Sequence, residues 1–111
     1  MTILAQIGQT AYTKSVQTVN AVVPSGLTQI QVLLTRVGWP SGQLFRVEIA
    51  MPDGSPGPTV EVDGGQPPGG LKPQTSMQLN WVEFDGIVSG TYVLKITIYQ
   101  AMTTAITVEG F

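Results

Sequence analysis

The chain has 111 residues with 42% hydrophobic and only 11% charged side chains, five cations against seven anions, and a net charge of -2, enough for one buried core and little for two. It contains no cysteine and no histidine, which excludes disulfides, thiolate chemistry, zinc sites built on those ligands, serine-histidine catalysis and a histidine pH switch. The scattered, slightly acidic charge gives no electrostatic footprint for nucleic acid or an anionic membrane, no stretch is long enough for a transmembrane helix, and no cofactor is expected.

In chain order, MTILAQIGQTA (1–11) alternates through Ile3, Ala5 and Ile7 and reads as an N-terminal arm or an extra strand. It lacks the basic start, long apolar run and cleavage site of a signal peptide, so synthesis in the cytoplasm is the expectation. Residues 12–111 read as a single β-sandwich domain. SVQTVNAVV carries Val19, Ala21 and Val23 on one face, and TQIQVLLTR carries Ile30, Val32 and Leu34, with Leu33 an exception to the alternation. QLFRVEIAM places Phe45, Val47, Ile49 and Met51 opposite Arg46 and Glu48. This period of two is that of antiparallel strands with one wet face.

Residues 52–73 hold six prolines and six glycines around a short TVEV (59–62). Proline cannot feed a central ladder, so this excursion belongs at an edge or outside the sandwich. It is not a domain linker, because the remaining chain is too short to build a core without disulfides. SMQLNWVEF is read with Met77, Leu79 and Trp81 inward, GTYVLKITIY with Tyr92, Leu94, Ile96 and Ile98, and TTAITVE with Thr104, Ile106 and Val108. Turn formers separate these runs, and about seven strands result. The predicted fold class is all-β, a two-sheet antiparallel β-sandwich with immunoglobulin-like Greek-key connections; a jelly roll is the alternative that periodicity leaves open.

Two stretches carry a resemblance. DGIVSGTYVLKITI (85–98) resembles the corner and following strand of immunoglobulin-like sandwiches, in which a tyrosine at the strand start bonds back across the corner; Tyr92 and Leu94 occupy the matching places. VPSGLTQIQVLLTRVGWPSGQLFRVEIAMPDG (23–54) resembles small β-sandwich proteins encoded among tailed-bacteriophage genes, matching at Val23, Pro24, Gly26, Trp39, Pro40, Asp53 and Gly54. That resemblance implies a virion setting and supplies no active site.

Catalytic vocabulary is sparse. Glu61 with Asp63, and Glu83 with Asp85, are carboxylates two residues apart, but neither pair stands in a calcium-loop spacing, and the ordinary reading is a solvated strand edge. The glycines of DGGQPPGG invite a phosphate cradle, yet Pro67 and Pro68 remove amide donors where a cradle needs them. Trp81 shares the parity of Met77 and Leu79 and is read as core, whereas Trp39 lies in the turn GWPSG. The chain is therefore expected to be a non-enzymatic interaction module, a phage virion accessory binding capsid or tail proteins and able to form a homo-oligomer, with Trp39, the excursion and residues 1–11 as contacts. The alternative is a carbohydrate-binding module for host-surface glycans, with Trp39 or Tyr99 stacking on sugar and Asp63 or Gln66 bonding hydroxyls.

Overall fold

The computed structural model describes residues 1–37, 42–64 and 77–111, and for residues 37, 64 and 77–80 the backbone alone. The turn around Trp39, and Gln66 with most of DGGQPPGG, lie outside the described residues, as do the side chains of Met77 and Leu79.

Among the described residues eight strands form: β1 (Thr2–Tyr12), β2 (Ser15–Val23), β3 (Gln29–Val37), β4 (Gly42–Ala50), β5 (Pro56–Gly64), β6 (Met77–Asp85), β7 (Gly90–Ile98) and β8 (Met102–Gly110). They make two four-stranded antiparallel sheets, in the orders β1-β8-β3-β6 and β2-β7-β4-β5. The pairings are nested: β1 with β8, β2 with β7, β3 with β6, β4 with β5. Successive pairs fall in opposite sheets, and the contacts β3–β8 and β4–β7 complete each sheet. This differs from the ABED and CFG order of an immunoglobulin domain.

The inner faces meet in one core. Val19, Ala21, Val23, Phe45, Val47, Ile49, Tyr92, Leu94, Ile96 and Ile98 of one sheet and Ile30, Val32, Leu34, Ile106 and Val108 of the other belong to one buried cluster. These are the alternating positions expected for β2, β3, β4, β7 and β8. Thr104 is buried as its parity requires, and its Oγ1 donates to the Thr35 carbonyl at 2.9 Å, satisfying a hydroxyl that would otherwise be costly. Arg36 is also nearly buried, and desolvation lowers the pKa of its guanidinium.

The corner resemblance has a physical counterpart. The Tyr92 ring is fully buried, and its hydroxyl accepts a hydrogen bond from the Val88 amide, four residues upstream, at 2.9 Å. Tyr92 thereby pins the β6–β7 turn to the core.

Strand β6 requires a correction. Trp81 is 59% exposed, while Val82 and Phe84 are each 4% exposed and belong to the core. The run NWVEF is apolar at both parities, so alternation alone cannot orient it. The register decides: Val82 pairs with Val32 and Phe84 with Ile30, both inward, and Trp81 pairs with Leu33 on the outer face. Leu33, the exception in β3, is the outer-face neighbour of the exposed tryptophan.

Strand β5 is longer than TVEV. It begins at Pro56 and forms the edge of its sheet beside β4, with two register irregularities. The turn before it is fixed by Asp53, whose Oδ1 accepts from the Ser55 amide at 2.9 Å and from the Ser55 hydroxyl at 2.6 Å, and by Gly54 at a φ of 87°. These bonds to Ser55 lower the Asp53 pKa. Gly57 is required by close approach: a Cβ there would stand 2.7 Å from the Ile49 carbonyl oxygen. Strand β5 ends at Gly64 in one sheet and β6 starts at Met77 in the other, so the chain changes sheets between two edge strands. Among the described residues no helix is long and apolar enough to cross a membrane.

Candidate interaction surfaces

The outer face of β2-β7-β4-β5 carries Arg46, Glu48, Glu61, Asp63 and Lys95. Cross-strand neighbours follow from the register: Val16–Thr97–Arg46–Glu61 in one row and Thr18–Lys95–Glu48–Thr59 in the next. Arg46 Nε bridges Glu48 Oε1 at 3.1 Å and Glu61 Oε1 at 3.4 Å. Both pairs are solvent-accessible, and such pairs contribute about 0.2–1 kcal/mol each.

Two of the residues singled out from sequence lie near this network. Tyr99, just beyond β7, donates its hydroxyl to Glu61 Oε1 at 3.3 Å, while its amide donates to the Leu44 carbonyl at 3.0 Å. Asp63 is exposed near the end of β5, two residues from Glu61 and paired with Gln43, whose carbonyl accepts from Gln100 Nε2 at 3.0 Å. The fold thus brings Tyr99 and Asp63 to one corner, with the Tyr99 hydroxyl engaged by a carboxylate. Trp39 and Gln66, the other two, lie outside the described residues.

Partial desolvation, and then the charge and hydrogen bond of Glu61, raise the Tyr99 pKa above 10.0, with Arg46 opposing. A raised pKa means that the native state holds this proton more firmly than the unfolded chain. The associated stabilisation is full below the ordinary tyrosine pKa and is lost as pH rises through the native value. Ultraviolet titration of Tyr99 should show a midpoint that falls in Glu61→Gln.

Beside the ion network lies a groove of about 360 Å³ bordered by Thr18, Glu48, Gly57, Thr59, Val93 and Lys95. It is shallow and mixed in polarity, and among the described residues no group of three or more acidic side chains gathers to hold a metal.

The other feature of this sheet is apolar. Val16 is 50% exposed and Val22 is 65% exposed, both on β2, and Val93 of neighbouring β7 is 37% exposed. Among the described residues strand β2 has no hydrogen-bonded neighbour on its outer side. The four sheet edges differ in how they are guarded. Strand β5 has Pro56, Pro58, register irregularities, Glu61 and Asp63; β6 has Glu83 and Asp85; β1 has two register irregularities. Strand β2 reads SVQTVNAVV, with no charge and no proline, and its register runs unbroken from Ser15 to Val23. Natural sheets normally blunt such an edge. The sequence pattern of β2 contained this signal, but only the strand order identifies β2 as an edge.

No protein-family model matches the chain, and no curated protein matches it. Among solved structures, it is similar to part of an insecticidal delta-endotoxin of Bacillus thuringiensis at 13% identity and a TM-score of 0.46, over 93% of this chain and 19% of that one. It is also similar to part of the infectious bursal disease virus Gt strain structure at 18% identity and a TM-score of 0.25, over 95% of this chain and 33% of that one. The VP2 subviral particle of the same virus gives 16% identity and a TM-score of 0.20, over 96% and 38%. The chain therefore spans well under half the length of each of these proteins.

Proposed function

We propose that this chain is a non-enzymatic interaction module, a virion accessory of a tailed bacteriophage that docks on a capsid or tail protein through β2 and its exposed valines. The carrying observation is the unguarded edge of β2. Among the described residues its outward backbone donors and acceptors have no partner strand, and with Val16, Val22 and Val93 beside them they form a surface that water or a partner must satisfy, a partner strand best. The phage setting is supported by the resemblance at 23–54, and the nested strand order supports the jelly-roll alternative, an architecture found in capsid and lectin domains. That architecture supplies a rigid frame and no chemistry of its own.

The test is co-sedimentation of the purified chain with phage particles. Wild-type chain is expected in the particle fraction, and Val22→Lys, which gives β2 the charge that a guarded edge carries, is expected to lower the bound fraction at least about tenfold, corresponding to about 1.4 kcal/mol. Unchanged co-sedimentation of that variant contradicts docking through β2. Val22 is exposed, so the variant retains its fold, and far-ultraviolet circular dichroism checks this.

A further inference from the structure

The outer face of the opposite sheet has a different composition. Trp81 on edge strand β6 stands directly opposite the half-buried Leu33, and the next outward row along the strands pairs Glu83 with Gln31. The row after that pairs Asp85 with Gln29. The polar groups are bonded to one another: Gln29 Nε2 donates to Asp85 Oδ1 at 2.7 Å, and Gln31 Nε2 donates to Gln29 Oε1 at 2.8 Å and to Glu83 Oε1 at 3.3 Å. An exposed indole thus borders a lattice of amides and carboxylates held in register by two paired strands.

We infer that this face is a binding platform for a neutral oligosaccharide. A pyranose ring has an apolar face of C–H groups and a rim of hydroxyls. The first matches an exposed indole beside an aliphatic side chain, which has apolar area to cover. The second matches a row of carboxylate and amide oxygens, whose remaining lone pairs accept hydroxyl protons; bonds to ionised acceptors are the stronger ones. The mutual bonds of Gln29, Gln31, Glu83 and Asp85 fix their side chains before a ligand arrives, which reduces the ordering cost of binding. Charge selects the class of sugar. Glu83, Asp85 and Glu109, whose register partner is Gln31, give the face three carboxylates, and no described lysine or arginine lies among its outward positions. An anionic glycan is repelled there, while a neutral one is not. The platform lies on the opposite sheet from β2 and does not depend on the docking role of β2.

Probing a multivalent display of the chain against immobilised neutral, sialylated and sulfated oligosaccharides tests the inference. Neutral glycans should bind and the acidic ones should not, with binding lowered at least tenfold in Trp81→Ala and in Gln31→Ala, partly kept in Trp81→Phe, and unchanged in Val22→Lys. Absence of neutral-glycan binding in the wild type, preference for acidic glycans, or full binding by Trp81→Ala would overturn it. Loss of particle binding with glycan binding intact, or the reverse, separates this platform from the β2 surface.

Discussion

Tyr92→Ala is expected to destabilise the fold by roughly 3–5 kcal/mol, the range for removing a large aromatic from a packed core. The ring is fully buried in the central part of its sheet, on β7 between β2 and β4. Its loss leaves a cavity in the buried core between the two sheets, which the hydrogen-bonded strands around it cannot collapse to fill. The same variant removes the acceptor of the Val88 amide. Tyr92→Phe keeps the ring and deletes only the hydroxyl, so its cost should be about 0.5–1.5 kcal/mol, that of one hydrogen bond at a partly wet site. Urea unfolding of the two variants measures both numbers. Equal costs would mean that the hydroxyl, and not the ring, carries the corner; a negligible cost for alanine would mean that the residue is not in the core. Against a total stability of roughly 5–15 kcal/mol for a domain of this kind, the alanine variant removes a large share.

On β6, two neighbouring aromatics should behave oppositely. Phe84→Ala is expected to cost roughly 3–5 kcal/mol, because Phe84 is buried beside its register partner Ile30. Trp81→Ala, three residues earlier and larger in volume, should change stability by less than about 0.5 kcal/mol, because more than half of that side chain is in water (59% exposed). Residue size predicts the reverse order. A parallel pair of unfolding curves decides it, and a strong loss in Trp81→Ala with a weak one in Phe84→Ala would invert the face of β6 and remove the platform with it.

The sequence is legible where charged or polar residues mark the outer parity of a strand. In β4 and β7 the charged residues Arg46, Glu48 and Lys95 mark the outer parity, and burial alternates from Phe45 to Ile49 and from Tyr92 to Ile98; Leu44 has the outer parity but is fully buried, beside the register irregularity between Gln43 and Phe45. In β6 both parities are apolar, and the choice rests on a partner strand more than forty residues earlier in the chain, which alternation cannot see. Strand β5 was underestimated because its prolines read as breakers. Pro56 and Pro58 are two residues apart and so project their missing N–H groups to the same side, which an edge strand can leave unpaired. Nesting of the pairs was not legible either, since long-range order leaves no mark on local period. Of the candidate site residues, Tyr99 stands at a strand end and Asp63 follows the short TVEV run, and both lie near Glu61 and Gln43. The β2 edge and Trp81 were missed because the importance of each depends on which strand lies beside it.

Docking through β2 is tested most directly by a photoreactive residue placed at position 22 and, separately, at position 83, followed by irradiation in the presence of phage particles. Both positions point outward, but on opposite sheets. Covalent adducts to a capsid or tail protein are predicted from position 22, with few or none from position 83. Adducts from position 83 alone, or none from position 22 while the chain still co-sediments, would contradict the β2 surface as the means of attachment.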